Sequence, residues 1–171
     1  MQRIAKFYKV TLEQFTKDWM DTFPGSSQSR IEEIYEGIEL PVRATSGSAG
    51  YDFFTPVSFV LHPGESVKIP TGVRVEMEEG WVLQIFPRSS LGFKFRLQMN
   101  NTVGIIDSDY FYSDNEGHLF IKVTNDTREG RVVELALGAG FAQGVFVPYG
   151  ITVDDECTNS RNGGFGSTDV R

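Results

Sequence analysis

Asn100-Asn101-Thr102-Val103-Gly104-Ile105-Ile106-Asp107-Ser108-Asp109-Tyr110 is the stretch around which the rest of the chain is organised. Its first half predicts a strand, because Val103, Ile105 and Ile106 are β-branched. Gly104 leaves a gap in the row of side chains through which a flat ligand could approach the backbone. Two carboxylates follow, Asp107 and Asp109, and then the aromatic Tyr110. On an extended chain residues i and i+2 share a face, so the pair is expected to serve one site. The same string also suits a plain hairpin end, since Asp and Ser are ordinary turn residues. The choice between the two depends on what else the chain carries.

Four further strings accompany it, in the order Gly47-Ser48-Ala49-Gly50-Tyr51-Asp52, Pro87-Arg88-Ser89-Ser90, Gly140-Phe141-Ala142-Gln143 and Arg161-Asn162-Gly163-Gly164-Phe165-Gly166-Ser167-Thr168, the central stretch standing third of five. Each has an ordinary structural reading: a turn, a surface loop, a strand with one amide, a loose C-terminus. Together they resemble the five motifs of the trimeric dUTPases, over residues 40–168. That resemblance implies a jelly-roll β-sandwich that assembles as a homotrimer with shared active sites and hydrolyses dUTP to dUMP and pyrophosphate.

The chain read in order agrees with an all-β body. Arg3 to Val10 alternates enough for a strand. Thr11 then stands as an N-cap with Gln14 in the capping-box position, and Leu12, Phe15 and Trp19 form one helical stripe that Pro24-Gly25 ends. Ile31, Ile34, Tyr35 and Ile38 predict a second short helix ending near Gly37. From Ser58 onward turn signals recur every ten residues or so, the rhythm of a β-sandwich. Val57–Leu61, Val73–Met77, Trp81–Phe86, Leu119–Val123 and Phe141–Val147 are expected strands, with Pro63-Gly64 in type II order between the first two. The whole, residues 1–171, reads as one domain with a helical insertion over 11–37 and a mobile tail over 155–171. The dUTPase pattern passes almost directly from its first strand to a segment like Leu40-Pro41-Val42-Arg43, so 11–37 departs from it. Residues 111–115 depart as well, lengthening a hairpin. The apolar stripes of the insertion suit packing on the body of the same protein, and a protein partner is the other role open to them.

Hydrophobic content of 40% and charged content of 23% are ordinary for a soluble globular protein. The single cysteine, Cys157, excludes an intramolecular disulfide and fits a reducing compartment. With no apolar run of about 20 residues and no signal-peptide core, no membrane association is expected and a cytoplasmic location is the default. The net charge of −7 argues against nucleic acid as a partner. A polyphosphate can still bind such a chain where a few arginines and backbone N–H groups converge.

Arg88 offers a planar fork suited to phosphate oxygens, with the hydroxyls of Ser89 and Ser90 beside it. The glycines around Phe165 let backbone amides close on an anion, and the ring offers a face to a base. The resemblance assigns particular roles. It makes Asp107 the general base for the attacking water. Asn101 with the backbone at Gly104 and Ile106 would read the uracil, and Tyr110 would lie against the sugar. Arg88, Ser89, Ser90, Gln143, Arg161, Gly166, Ser167 and Thr168 would hold phosphates, and Phe165 would cover the base. Asp52 would support the phosphate side. Mg²⁺ is implied as the cofactor, held by the phosphates and water rather than by protein ligands. Arg161 stands one residue nearer Phe165 than the family spacing. His62 and His118 are each isolated in the sequence and receive no role. Two alternatives accompany this reading: a dCTP deaminase, which shares the fold and the Arg-Ser-Ser string, and a regulatory partner-binding module. The expected deaminase glutamate is missing from Ile121-Lys122-Val123-Thr124-Asn125.

Overall fold

The computed structural model describes residues 2–159 and Arg161. The chain enters through β1 (Ala5–Lys9) and two helices, α1 (Leu12–Thr22) and α2 (Gln28–Glu36). It continues through β2 (Val42–Arg43), β3 (Tyr51–Phe54), β4 (Phe59–Leu61), β5 (Ser66–Pro70), β6 (Val73–Met77) and β7 (Trp81–Pro87). After α3 (Ser89–Phe95) come β8 (Leu97–Met99), β9 (Gly104–Ile106), a 3₁₀ segment Ser108–Tyr112, β10 (Phe120–Asn125), β11 (Val133–Leu135) and β12 (Gly140–Pro148). The expected strands are present, displaced by one or two residues at their ends.

The larger sheet runs β2-β3-β12-β7-β9, and β5-β10-β8 faces it, with the pairs β1-β6 and β11-β4 at the margins. The alternation predicted for Val73, Val75 and Met77 is real: all three point into the core while Arg74 and Glu76 stay half-exposed. Phe53, Leu83, Ile85, Phe141, Ile121 and Leu119 fill the space between the sheets. Gly144 on β12 is part of that packing, because a Cβ there would lie 2.8 Å from Leu83 Cδ1 and 3.0 Å from Phe53 Cε2. This is an all-β sandwich of the expected kind, with helices added near the N-terminus.

α1 and α2 use their apolar stripes on this body. Phe15, Trp19, Ile31 and Ile34 are buried, and Tyr35 donates its hydroxyl to Val10 O at 2.8 Å. Thr11 caps α1 as predicted, its Oγ1 accepting the Gln14 N–H at 3.2 Å. The other half of the capping box is not formed. Gln14 Nε2 turns instead to Asp18 at 2.8 Å, and the Thr11 N–H is taken by Glu116 Oε2 at 2.8 Å, a residue far away in the sequence. A long-range carboxylate has displaced the local amide. Among the described residues no helix is long and apolar enough to cross a membrane.

Candidate active site

Two groups of the expected residues gather at opposite ends of one strand. The first lies where β3, β12 and β7 run side by side. Gln143 on β12 pairs in register with Asp52 on β3 and with Phe86 on β7, so that Arg88, just past β7, comes level with both. Asp52 Oδ2 stands 3.4 Å from Arg88 Nη2, with the carboxylate mostly covered and the guanidinium about half exposed. Gln143 Nε2 reaches Pro87 O at 3.4 Å. Ser89 and Ser90, expected on a surface loop, instead form the first turn of α3, with Arg88 as N-cap. No loop was needed, because Leu91 and Phe95 provide an apolar side for one short helix over the core.

Two glycines make this corner close. A Cβ on Gly50 would fall 2.8 Å from Gln143 Oε1, and one on Gly140 would fall 2.9 Å from Arg88 Nη1. Sequence reading missed both roles, since each became visible only once the strands were in register. Gly140→Ala separates site from stability. Its methyl meets the movable tip of an arginine, so the melting temperature should change little. Displacing that tip from Asp52 should lower kcat/KM about tenfold, within the range for a charge-assisted hydrogen bond. An unchanged kcat/KM would show that Arg88 needs no such seat.

The second group follows β9. Asn100-Asn101-Thr102 forms an exposed turn with Thr102 at φ +67°, so the strand is confined to Gly104–Ile106. The gap at Gly104 does not open to a ligand. A Cβ there would meet Ile85 Cβ at 3.1 Å and Met99 Cε at 3.6 Å, so the missing side chain serves core packing. Ile106 is buried as well. Both residues can offer a base only their backbone. The carboxylate pair also differs from expectation, because Ser108–Tyr112 is 3₁₀ rather than extended, with Asp107 as its N-cap. The two carboxylates nonetheless meet at one point. Arg161 Nη2 lies 2.5 Å from Asp107 Oδ2, and its Nε lies 2.9 Å from Asp109 Oδ1. In a 3₁₀ turn residues i and i+3 eclipse, which sets Tyr110 on the same side as Asp107. The Arg161 guanidinium accordingly lies 5.8 Å from the Tyr110 ring centre.

Tyr110 is buried, and its hydroxyl donates to His118 O at 2.9 Å and accepts from Asn115 Nδ2 at 2.9 Å. Burial pushes its phenol pKa up, and the Asn115 hydrogen bond only partly opposes this. Arg161, expected among phosphates, thus sits against the acidic pair within its own chain. Phe165, Gly166, Ser167 and Thr168 lie outside the described residues. Asp109, expected on the same face as Asp107 but given no role of its own, meets it through Arg161.

The distance between the groups follows from register. Ile106 pairs with Leu83 and Gly104 with Ile85, so Asp107 lies level with Val82 while Arg88 lies past the other end of β7. Six residues of strand separate those levels by roughly 20 Å. Within one chain Asp107, the expected base, and Arg88, the expected phosphate ligand, cannot meet on one phosphorus atom.

The dUTPase family model matches residues 36–169. A deoxyuridine 5'-triphosphate nucleotidohydrolase of Lactococcus lactis is 44% identical over 135 residues, covering 77% of this chain and 89% of the relative. The chain belongs to the dUTPase family. The crystal structure of the Streptococcus mutans dUTPase superposes with a TM-score of 0.58 at 40% identity, over 66% of this chain and 88% of that one. A dUTPase from phage phi11 of S. aureus, whose structure displays a species-specific insert, matches more of the length. It covers 92% of this chain and 97% of its own with a TM-score of 0.62, and at 22% identity it speaks for the fold alone. Of the two enzyme readings left open by Arg88-Ser89-Ser90, the family is that of the diphosphatase.

Among the described residues no group of three His, Cys, Asp or Glu side chains could hold a metal ion. Asp52 is engaged with Arg88, and Asp107 and Asp109 with Arg161.

Proposed function

We propose that the two groups are completed between copies of this chain. As a member of the dUTPase family it is a dUTP diphosphatase, releasing dUMP and pyrophosphate. One copy supplies Asn101, Tyr110 and Asp107, and a neighbour supplies Asp52, Arg88, Ser89, Ser90 and Gln143. The roughly 20 Å along β7 is the observation that carries this reading, because a single α-phosphorus needs both groups within a few ångströms. A closed homotrimer with head-to-tail contacts meets the requirement three times over.

In that shared site Asn101 and the backbone of β9 read the uracil. Asp107 accepts a proton from water as its oxygen attacks the α-phosphorus in line. The bond from that phosphorus to the bridging oxygen breaks, and pyrophosphate leaves. Arg88 and Gln143 meet the charge of the phosphate oxygens, and Ser89 and Ser90 add hydroxyl donors. Mg²⁺, held by the phosphates and water rather than by protein ligands, would supply charge neutralisation there. The tail brings Phe165 over the base and Gly166, Ser167 and Thr168 to the phosphates. For that, Arg161 moves from the carboxylates toward the phosphates. A cytoplasmic location suits this substrate and the lone, exposed Cys157.

The test mixes two inactive proteins. Arg88→Ala and Asp107→Asn should each abolish pyrophosphate release from dUTP. After subunit exchange roughly a quarter of the sites should combine two intact halves, and activity should return to about that fraction. No recovery after confirmed exchange would place both halves in one chain and end the proposal. Pyrophosphate release from a panel of deoxynucleoside triphosphates measures the base preference alongside.

Tyr110 gives a second test. A ribose 2′-hydroxyl pressed on a buried ring loses water without gaining a partner, at a cost of about 1–3 kcal/mol, or roughly 10–100-fold. UTP should be rejected by at least that factor, and Tyr110→Ala should narrow the gap mainly by improving UTP while dCTP stays poor. Equal effects on UTP and dUTP would remove Tyr110 from sugar selection.

A further inference from the structure

His118, isolated in the sequence, is not isolated in the fold. It is fully buried, with its ring 4.6 Å from that of Phe120. Its Nε2 accepts the Gly72 N–H at 2.8 Å, so that nitrogen carries no proton. Its Nδ1 lies 2.6 Å from Asp18 Oδ2 and therefore donates to the carboxylate. Asp18 belongs to α1, and the residue it holds belongs to the loop behind Tyr110. The backbone oxygen of His118 accepts the Tyr110 hydroxyl at 2.9 Å. Its N–H donates to Asn115 O at 3.1 Å, and Asn115 Nδ2 donates to the same hydroxyl.

A second tie joins the same two segments. Glu116 accepts both the backbone N–H of Thr11 at 2.8 Å and the Thr11 hydroxyl at 2.7 Å, at the start of α1. Arg74 then closes over the loop, its Nη2 donating to Phe111 O at 2.7 Å and its guanidinium lying 3.7 Å from the Phe111 ring centre. Gly117, at φ +69°, has no room for a side chain, since a Cβ would stand 2.7 Å from Tyr110 O and from Phe111 Cα. The loop is packed so tightly on the 3₁₀ turn that its position and that of Tyr110 are not independent.

We infer that Asp18 is a positioning residue for Tyr110: it accepts the Nδ1–H of His118, whose Nε2 the Gly72 N–H already occupies, and so holds the peptide whose oxygen anchors the tyrosine hydroxyl. The helix α1, far from the phosphates in sequence, thereby sets the depth of the ring that meets the sugar. The inference rests on the reading of Tyr110 as the face against the sugar. Burial works to raise the Asp18 pKa, yet the bonds from His118 and Gln14 outweigh it and hold the carboxyl below the ordinary range. This agrees with an ionised Asp18 accepting the Nδ1–H.

The experiment measures kcat/KM for dUTP and UTP, with melting temperatures, in wild type, Asp18→Ala, Asp18→Asn, Tyr110→Ala and Ile31→Val. Asp18→Ala should narrow the dUTP-to-UTP ratio about fivefold, the effect expected from one lost hydrogen bond, chiefly through KM. Asp18→Asn keeps an oxygen for the Nδ1–H, and its ratio should stay within about twofold of wild type. Ile31→Val loosens the same helical layer without touching His118. It should lower the melting temperature and leave the ratio alone. If Asp18→Ala does not fold, Asp18→Ser, too short to reach the ring but with room for a water, carries the same expectation. NMR spectra of His118 should show the Nδ1–H tautomer in both proteins, since the Gly72 N–H still occupies Nε2, with the Nδ1 proton resonance moved upfield in Asp18→Ala as its carboxylate acceptor is lost; an unmoved resonance would count against the bond to Asp18. An unchanged ratio in Asp18→Ala, beside a narrowed one in Tyr110→Ala, overturns the relay while leaving Tyr110 in place. An unchanged ratio in Tyr110→Ala overturns both readings, and equal narrowing in Ile31→Val makes the effect one of general loosening.

Discussion

Asp107→Asn is expected to lower kcat at least a hundredfold while dUTP binds nearly as well as before, in line with the ~10²–10⁴-fold contribution of a positioned base. The amide keeps the shape of the carboxylate and its place as N-cap of the 3₁₀ segment, but it cannot take a proton from water. Its setting supports the assignment. Asp107 stands at the open end of β9, exposed, with Tyr110 eclipsed above it and one arginine as its partner. Arg161 occupies the Asp107 oxygen that an attacking water would use, so on this reading it gives way when substrate enters. Single-turnover rates and equilibrium binding of a non-hydrolysable analogue separate the two effects. A variant keeping more than about a tenth of the wild-type kcat would remove Asp107 from the role.

Removing residues 161–171 should lower kcat/KM by at least ~10³, because the proposed site would lose an arginine and two hydroxyls from the phosphates and each charge-assisted bond is worth about 1.5–3 kcal/mol. Stability should hardly notice. The bonds that Arg161 makes in the absence of substrate go to carboxylates about half exposed. Such pairs contribute under ~1 kcal/mol, which is at most about 4 °C in melting temperature for a chain of this size. Tail-less protomers mixed with Asp107→Asn protomers then decide where the tail works. Recovery in mixed assemblies means that it closes a neighbour's site. No recovery means that the observed seat of Arg161, on its own Asp107 and Asp109, is the working one.

Much of this architecture was legible in the residues. Alternation at Val73, Val75 and Met77 and the stripe Phe15, Trp19 carried strand and helix correctly because burial alone decides them. What escaped was set by partners distant in the chain. Gln14 has the right spacing for a capping box, yet Glu116, about a hundred residues away, takes the N–H first. The spacing of Asp107 and Asp109 suggested an extended pair, but the Tyr110 hydroxyl is pulled back to His118 O, and the backbone tightens into 3₁₀ to let it reach. Gly104 looked like an opening and is filled by Ile85, whose approach only the β7–β9 register reveals. The motifs named the residues that the fold gathers into the two groups. That they stand at opposite ends of β7 could not be read from motifs at all, since order along a chain carries no register.

The helices of 11–37 are tied to the residues that directly follow the loop at 111–115, through Thr11–Glu116 and Asp18–His118. Neither would be comfortable alone. A longer loop without α1 leaves the Nδ1–H of a buried imidazole with no acceptor, and α1 without the loop leaves its first N–H uncapped. Lineages of dUTPases should therefore gain or shed the helical pair and the long loop in the same step. Natural chains carrying one without the other should be scarce, and in those that exist position 118 should no longer be histidine. An ancestral reconstruction that passes through a half-acquired state should express poorly, whatever its catalytic residues.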